Sequence, residues 1–394
     1  MTTVLNLICL ILALPALAMS LYLLLLTLLS RALPVPPRVS RRLRFDVVIP
    51  AHDEAAVIAG AIASLQRLDW PAGDYRLMVV ADNCADSTEV LAAAAGAEVL
   101  VRNDPAHRGK GYALDLAFCA SQARGWADAV VVVDADSEVS VNLLDAFARR
   151  IEKGAEAIQA YHGVLNADVS WRTRLMAIAL ASFHRVRSRA RERLHLSCGI
   201  RGNGWCVTRS LLLRLPYRAF SLAEDLEFGI DLGLAGVRVH YADEAVVSAL
   251  MVSSEQAARS QRRRWEDGRL QMIRSKGWPL LKAAGGPGGS VCLDLAFDLL
   301  VLPLSYVGVN VAVLMLTAAT AWWWYPSMIL WLWVGCACGL SLLAYVLRGW
   351  RLSGAGPRGL LDLFRAPAFV LWKVLLMLRT HDSAKWVRTK REHP

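Results

Sequence analysis

The feature that most constrains this chain is its beginning. Residues 4–29 contain no charged side chain, and the first one met is Arg31. At about 1.5 Å per helical residue such a run outreaches a hydrocarbon core about 30 Å thick. It is too long for the apolar part of a signal peptide, and no small-residue cleavage site follows it. The run therefore reads as a membrane span. Arg31, Arg38, Arg41, Arg42 and Arg44 come directly after it, so the positive-inside rule places the N-terminus outside and the following domain in the cytoplasm.

Two more apolar runs lie near the other end, over about 299–319 and 328–347. Between them Trp322, Trp323, Trp324, Tyr325 and Pro326 form an uncharged aromatic turn suited to the outer interface. Arg348, Arg351 and Arg358 follow the second run and belong inside. The stretch 360–378 carries Asp362, Arg365 and Lys373 and has basic residues at both ends. It is expected to lie as an amphipathic helix on the membrane surface, with a further span as the alternative. The expected plan is a membrane helix over 1–30, a cytosolic domain over 31–276 and a membrane region over 277–394. Such a chain is a multi-pass protein of the cell (inner) membrane, with its soluble domain cytoplasmic and the lipid bilayer as its first partner.

Lys and Arg together number 44 against 34 Asp and Glu, and the surplus of ten gathers beside the membrane segments. Anionic lipid explains that placement; nucleic acid is not expected as a partner, because basic residues are not interleaved with aromatics across the soluble part. The eight cysteines form no CxxC pair, which argues against a zinc module or a disulfide scaffold.

Between Arg44 and Lys276 strand and helix patterns alternate. Short apolar strands are expected over 45–50, 75–81, 98–101, 129–133 and 155–161, with helices running to about 67 and over 87–95 and 110–124. This alternation predicts an α/β domain with a mixed, mostly parallel sheet. Ligands of such sheets sit beyond the carboxyl ends of the strands. Acidic residues wait there: Asp53 and Glu54 after the first strand, Asp82 after the second, Asp134 and Asp136 after the fourth. One such residue is ordinarily a helix cap, but three clusters on one edge exceed what capping requires. Two carboxylates one residue apart after a buried strand can share a hard divalent cation, which takes one or two carboxylates plus phosphate oxygens. A solvated turn is the plainer reading.

Further motifs follow. The stretch 107–114 (HRGKGYAL) opens a helix with Lys110, but it is neither a Walker loop nor a dinucleotide fingerprint. Cation and backbone contacts to a nucleotide at a helix N-terminus fit it, against a glycine turn with a solvated lysine. Glu224 and Asp225 start an apolar-periodic helix, where they either favour the helix dipole or serve as a general base and its neighbour. Gly202, Asn203, Gly204 and Trp205 precede them, and Gln261, Arg262, Arg263, Arg264 and Trp265 follow. The segment 171–193 mixes apolar residues with arginines and reads as an interfacial helix or an ordinary surface helix.

Together, Asp82, Asp134-Ala135-Asp136, Glu224-Asp225 and Gln261-Arg262-Arg263-Arg264-Trp265 resemble the D, DxD, ED, QxxRW signature of membrane-bound family 2 glycosyltransferases. That group includes cellulose, hyaluronan, chitin and poly-N-acetylglucosamine synthases and ceramide glucosyltransferases. Two positions depart from it: Ala223 stands where Thr is common, and Asn83 where a second acid is common. The resemblance implies a GT-A fold and inverting transfer from a nucleotide-sugar donor, usually UDP-linked, with Mg2+ or Mn2+. By motif match Asp82 and Lys110 hold the nucleoside end with Asp53 or Glu54 nearby, Asp134 touches the donor, and Asp136 with Asp134 holds the metal. Asp225 is the general base with Glu224 beside it. Gln261 and Arg264 steady the diphosphate; Gly202, Asn203, Trp205 and Trp265 line the acceptor side. The acceptor is a growing polysaccharide, as in bacterial polysaccharide synthesis, or a membrane lipid receiving one sugar, with a slight lean to the polysaccharide. A polymer channel built on three spans would need a partner subunit or a homo-oligomer. The non-enzyme reading is a sugar-nucleotide-binding membrane scaffold.

Overall fold

The computed structural model describes residues 1–37, 40, 42–251 and 255–367, and of 255–263 the backbone alone. The chain divides into two compact units, one of Ala32–Thr173 and Arg191–Leu299, the other of Met1–Arg31, Arg174–Ala190 and the chain from Leu300.

The first unit is built on one sheet of eight strands: β1 (Phe45–Ala51), β2 (Tyr75–Asp82), β3 (Glu98–Arg102), β4 (Ala129–Val132), β5 (Ser137–Val139), β6 (Ala157–Val164), β7 (Trp205–Thr208) and β8 (Val239–Ala249). Their order is β3-β2-β1-β4-β7-β6-β8-β5. β1 runs parallel to both β2 and β4, with Phe45 beside Tyr75 and Ala129. β7 is antiparallel to β4 and β6, and β6 is parallel to β8. The sheet is the mixed, mostly parallel one expected.

The strand sequences explain why both faces are covered. Phe45, Val47, Ile49, Val79, Val131 and Val133 join one core, whereas Val48, Val80, Val130 and Val132 join the other. Side chains alternate across a strand, so a continuous Val/Ile run feeds two cores at once. Asp46 interrupts the run yet is fully buried. Arg76 donates to its Oδ1 and Oδ2 at 2.8 and 2.9 Å, and Ser121 Oγ at 2.6 Å, so the carboxylate is paired and satisfied. The helix Lys110–Arg124 starts where the chain must pass close to residue 219: a Cβ on Gly111 would lie 2.2 Å from the Ala219 carbonyl oxygen.

Among the described residues, the second unit contains three helices long and apolar enough to cross a membrane: Thr2–Leu28, Leu304–Trp324 and Pro326–Ser353. They share a core of small and aliphatic residues, among them Cys9, Ala13, Ala16, Val311, Leu314 and Leu342. Small side chains let helices approach where water cannot drive association. Polar clips cross the same faces: Trp331 Nε1 donates to Asn6 Oδ1 at 2.8 Å, and Arg348 Nε to Ser30 Oγ at 2.8 Å. Residues 174–190 group with these helices; Val186 enters their core, and Arg187 Nε donates to Tyr345 Oη at 2.9 Å.

The second long apolar helix begins at Leu304 rather than near residue 299. Pro303 lacks the N–H that a continuing helix would use and stands at the helix N-cap. A separate helix, Gly289–Leu300, belongs to the first unit and buries Asp294 and Asp298. Of the stretch 360–378, the structure describes the end of the helix Gly356–Asp362 and a turn at Leu363–Arg365; residues 368–378 lie outside the described residues.

Candidate active site

A pocket of about 190 Å3 opens beyond the carboxyl ends of β1, β2 and β4. β1 supplies Pro50, Ala51, His52 and Glu54; β2 supplies Asp82 and Asn83; β4 supplies Asp134 and Ala135. Arg108, Gly109 and Lys110 enter from the start of the helix Lys110–Arg124, and Arg264 from the helix Glu255–Ala283. Asp82, Glu54, Lys110, Asp134 and Arg264 thus meet at one place.

Asp82 is buried, and its Oδ1 accepts from Arg102 Nη1 at 2.7 Å and Asn83 Nδ2 at 2.9 Å. His52 Nδ1 donates to the Asp82 carbonyl oxygen at 2.7 Å. These bonds hold the carboxylate rigid at the pocket wall. Asp53 does not line the pocket. Its Oδ1 accepts from Ala85 N at 2.6 Å and Asp86 N at 3.3 Å, so it ties the ends of β1 and β2 together, and Glu54 is the acid of that pair that faces the cavity.

Lys110 connects the pocket to the rest of the site. Its Nζ donates to Asp134 Oδ1 and to the Gly202 carbonyl oxygen, each at 2.5 Å. Burial works to lower its pKa, but Asp134, Glu224 and Asp225 outweigh that and hold the ammonium above the ordinary lysine value. Gly202 stands at φ +82°, and a Cβ there would lie 3.0 Å from Asp225 Oδ2. Only a residue without a side chain fills that position without strain. Asp134, Lys110, Gly202 and Asp225 form one continuous line of contacts.

Glu224 and Asp225 begin the helix Glu224–Leu234 and are half-buried. Burial raises both carboxyls above the usual range, and Asp225 adds its repulsion to raise Glu224 to about 7. Adjacent acids of this kind release their protons as a pair, and a carboxylate of raised proton affinity is the better base near neutrality. His162, at the end of β6, lies within electrostatic reach of Asp134, Lys110 and Asp225; burial lowers its pKa, so it stays neutral.

Asn203 and Trp205 depart from the acceptor-lining role expected of them. Asn203 is fully buried; its Oδ1 accepts from Asp134 N at 3.0 Å and its Nδ2 donates to Ser137 Oγ at 2.8 Å. It braces Asp134 and is sealed from any ligand. Trp205 is the first residue of β7, 1% exposed, and packs edge-on against Phe118. An indole in a sheet core cannot support an acceptor. Trp265 is 44% exposed and remains open. The Gln261 side chain lies outside the described residues. Asp136 follows Asp134 but does not line the pocket; its Oδ1 accepts from Ser137 Oγ at 3.4 Å.

His162 escaped the reading of the sequence; it carries no local signal, because the pairing of distant strands brings β6 to the site. Arg108 and Asn83 were legible as the neighbours of Lys110 and Asp82.

The Glycosyltransferase like family 2 model matches residues 42–268. The chain is 25% identical over 240 residues to the Probable glycosyltransferase YdaM of Bacillus subtilis, covering 58% of this chain and 56% of that protein. It is 26% identical over 233 residues to the Beta-monoglucosyldiacylglycerol synthase of Trichormus variabilis, covering 57% and 49%. The chain therefore spans about half the length of these curated relatives. Among solved structures, the mannosyltransferase PcManGT from Pyrobaculum calidifontis, in complex with GDP-Man and Mn2+, aligns over 88% of this chain and 98% of its own, with a TM-score of 0.52 and 18% identity. That likeness is one of fold, and the fold is GT-A. With the family model matching more than half of its length, this chain belongs to glycosyltransferase family 2.

Proposed function

We propose that the chain transfers a sugar from a nucleotide-sugar donor, UDP-linked by the resemblance, to the hydroxyl of a membrane-embedded acceptor, with inversion at the anomeric carbon. The observation that carries the reading is the contact line from Asp134 through Lys110 and Gly202 to Asp225. It joins a pocket suited to a nucleotide diphosphate to a carboxylate suited to proton abstraction.

In this reading Asp82 and Glu54 orient the nucleoside, and Arg108, Lys110 and Arg264 face the diphosphate from the pocket wall. Such cations stabilise charge that grows on the leaving group. Asp225 takes the acceptor proton as the new bond forms, and Glu224 keeps its proton affinity high. A single base suffices for inversion, so no covalent enzyme intermediate is needed. Asp134 and Asp136 offer an all-oxygen pair flanking Ala135 at the end of β4, the donor set that Mg2+ or Mn2+ prefers. The donor chemistry suits such an ion, with Asp134 at the pocket and Asp136 outside its lining; held by this pair, the ion would neutralise phosphate charge as a Lewis acid.

The three apolar helices and the Beta-monoglucosyldiacylglycerol synthase relative favour a lipid acceptor. Polysaccharide synthesis is the second reading, favoured by the QxxRW-like stretch ending in Arg264 and Trp265. The proposed topology keeps the domain of 31–276 cytoplasmic, between an N-terminal span and the membrane region of 277–394.

The test is nucleoside diphosphate release by the detergent-purified full chain across a panel of UDP-sugars, with and without Mg2+ or Mn2+, beside Asp225→Asn. Release from one donor, lost in the variant, is expected. Product size then separates a glycolipid from a polymer. Failure with every UDP-, GDP- and dTDP-sugar in the presence of added lipid would leave a non-catalytic sugar-nucleotide scaffold as the better account.

A further inference from the structure

Arg102 is the last residue of β3 and stands beside Asp82 in the parallel pairing of β2 with β3. It does not line the pocket, and its side chain is 13% exposed. Its guanidinium is shared among three oxygens. Nη1 donates to Asp82 Oδ1 and to the His107 carbonyl oxygen, each at 2.7 Å, and Nη2 donates to Asp104 Oδ2 at 3.1 Å. Its Cζ also lies over the Tyr112 ring, 5.3 Å from the centroid.

Asp104 and His107 belong to a turn that is closed by its own bonds. Asp104 Oδ1 accepts from Ala106 N at 3.1 Å and from His107 N at 3.2 Å, and Asp104 N donates to Asn83 Oδ1 at 2.8 Å. The chain then passes directly into Arg108, Gly109 and Lys110, which face the pocket. Tyr112 stacks on Phe220, 4.6 Å between centroids, so the helix start behind Lys110 is held as well. Arg102 thus bonds the acid of the pocket wall on one side and the turn that carries the cations on the other. A planar guanidinium holds two partners at a set separation, which the single ammonium of a lysine does not. That separation matters for a linked ligand. A free nucleoside and a free diphosphate bind as two ligands; joined covalently they bind as one, and the second end gains effective concentration only where the two subsites are kept at the matching distance.

We propose that Arg102 is a positioning residue for the donor: it fastens Asp82 to the 103–109 turn and so fixes the spacing between the acid that meets the nucleoside and the cations Arg108 and Lys110 that meet the diphosphate. The inference rests on the reading of this pocket as the nucleotide-sugar site. Arg102 touches no reacting atom and acts through the groups on either side of it.

The experiment is equilibrium dialysis of radiolabelled UDP and, separately, of radiolabelled pyrophosphate against the full chain in detergent, with Mn2+ present throughout, for wild type, Arg102→Gln, Arg102→Lys and Asp104→Ala. If wild type prefers GDP or dTDP, that diphosphate takes the place of UDP. Arg102→Gln should weaken UDP about thirtyfold and pyrophosphate by less than about threefold. Arg102→Lys keeps a charge but not the fork and should still weaken UDP about tenfold. Asp104→Ala cuts the turn from the fork, leaves the pair of Arg102 with Asp82 in place, and should weaken UDP about tenfold with pyrophosphate unchanged. Equal weakening of both ligands, or of neither, in Arg102→Gln overturns the inference, and full UDP binding by Arg102→Lys overturns the role of the fork. If Arg102→Gln does not fold, Asp104→Ala decides alone: unweakened UDP binding there overturns the inference. A wild-type chain that binds none of the three diphosphates would sink the reading of the pocket itself; a wild type that binds one, with variants that bind it equally well, would sink only the role of Arg102.

Discussion

The two halves of the sheet contribute to the site by different rules. In the parallel half, β3-β2-β1-β4, the strands β1, β2 and β4 deliver polar residues at their carboxyl ends, and Glu54, Asp82 and Asp134 stand within three residues of the apolar runs. In the mixed half β7 runs antiparallel to β4, and Trp205 pairs with Val132. The residues that precede β7 therefore lie where β4 ends, and Gly202 and Asn203 meet Lys110 and Asp134 from a distance of about ninety and seventy residues in sequence. The parallel half presents acids and cations to a pocket; the mixed half supplies the turn and the raised carboxyls. In the proposed reaction, binding and proton transfer would come from opposite sides of the β4–β7 pairing, and each is expected to be open to damage without the other.

The sharpest way to break that division is Asp225→Asn, which should lower kcat by about a thousandfold and leave the donor KM nearly unchanged. A large rise in KM alone would mean that the mixed half binds donor instead. Chelation by EDTA should abolish turnover, with Mn2+ or Mg2+ restoring it, and Asp136→Asn should raise the metal concentration needed; metal-independent turnover would remove the metal from the scheme. Lys110→Met touches both halves at once, since its ammonium spans Asp134 and Gly202. It should raise donor KM and lower kcat together, by about a hundredfold in kcat/KM. Gly202→Ala places a methyl beside Asp225 and forces a side chain into positive φ. About 1 kcal/mol of stability should be lost, and kcat should fall about tenfold as the carboxylate is displaced; thermal unfolding and initial rates check each part.

The smallest effect is on stability against pH. Glu224 is raised from 4.5 to about 7 in the folded chain, so between those values the folded state binds more protons than the unfolded one. Stability then falls as pH rises through this window, and Glu224→Gln should flatten the slope. A melting temperature that rises over the same window, in wild type and variant alike, would show that other groups dominate.

The parallel half was largely legible. A Val run stopping at Asp134, an apolar strand stopping before Asp53 and Glu54, and a glycine-flanked lysine opening a helix are local patterns, and the strands appear within a few residues of the expected places. Asn203 and Trp205 were misread because their motif, a glycine-rich turn before an aromatic, looks the same whether the aromatic faces a ligand or a core. The choice between Asp53 and Glu54 was left open for a related reason: an acid after a strand can face the cavity or lace two strand ends, and only the positive φ of +53° and the amides of Ala85 and Asp86 decide it. Residues 171–193 mixed arginines with aliphatics, and the middle of that segment turned out to pack with the apolar helices. Their guanidiniums are accommodated by hydroxyls and carbonyls such as Tyr345 Oη and Ser30 O, partners that no local spacing reveals.

By itself the sequence determined the three apolar helices, the α/β alternation and the set of acids at the strand ends, because each depends on the period or the run length of neighbouring residues. The tertiary structure alone decided that the bare flank of Gly202 would lie beside Asp225, that Asn203 would brace Asp134 from within, and that Asp298 would pair with Arg201. Those relations join residues 23, 69 and 97 positions apart. Their energies depend on burial and on charge-to-charge distance, and both quantities come into existence only when the strands have paired.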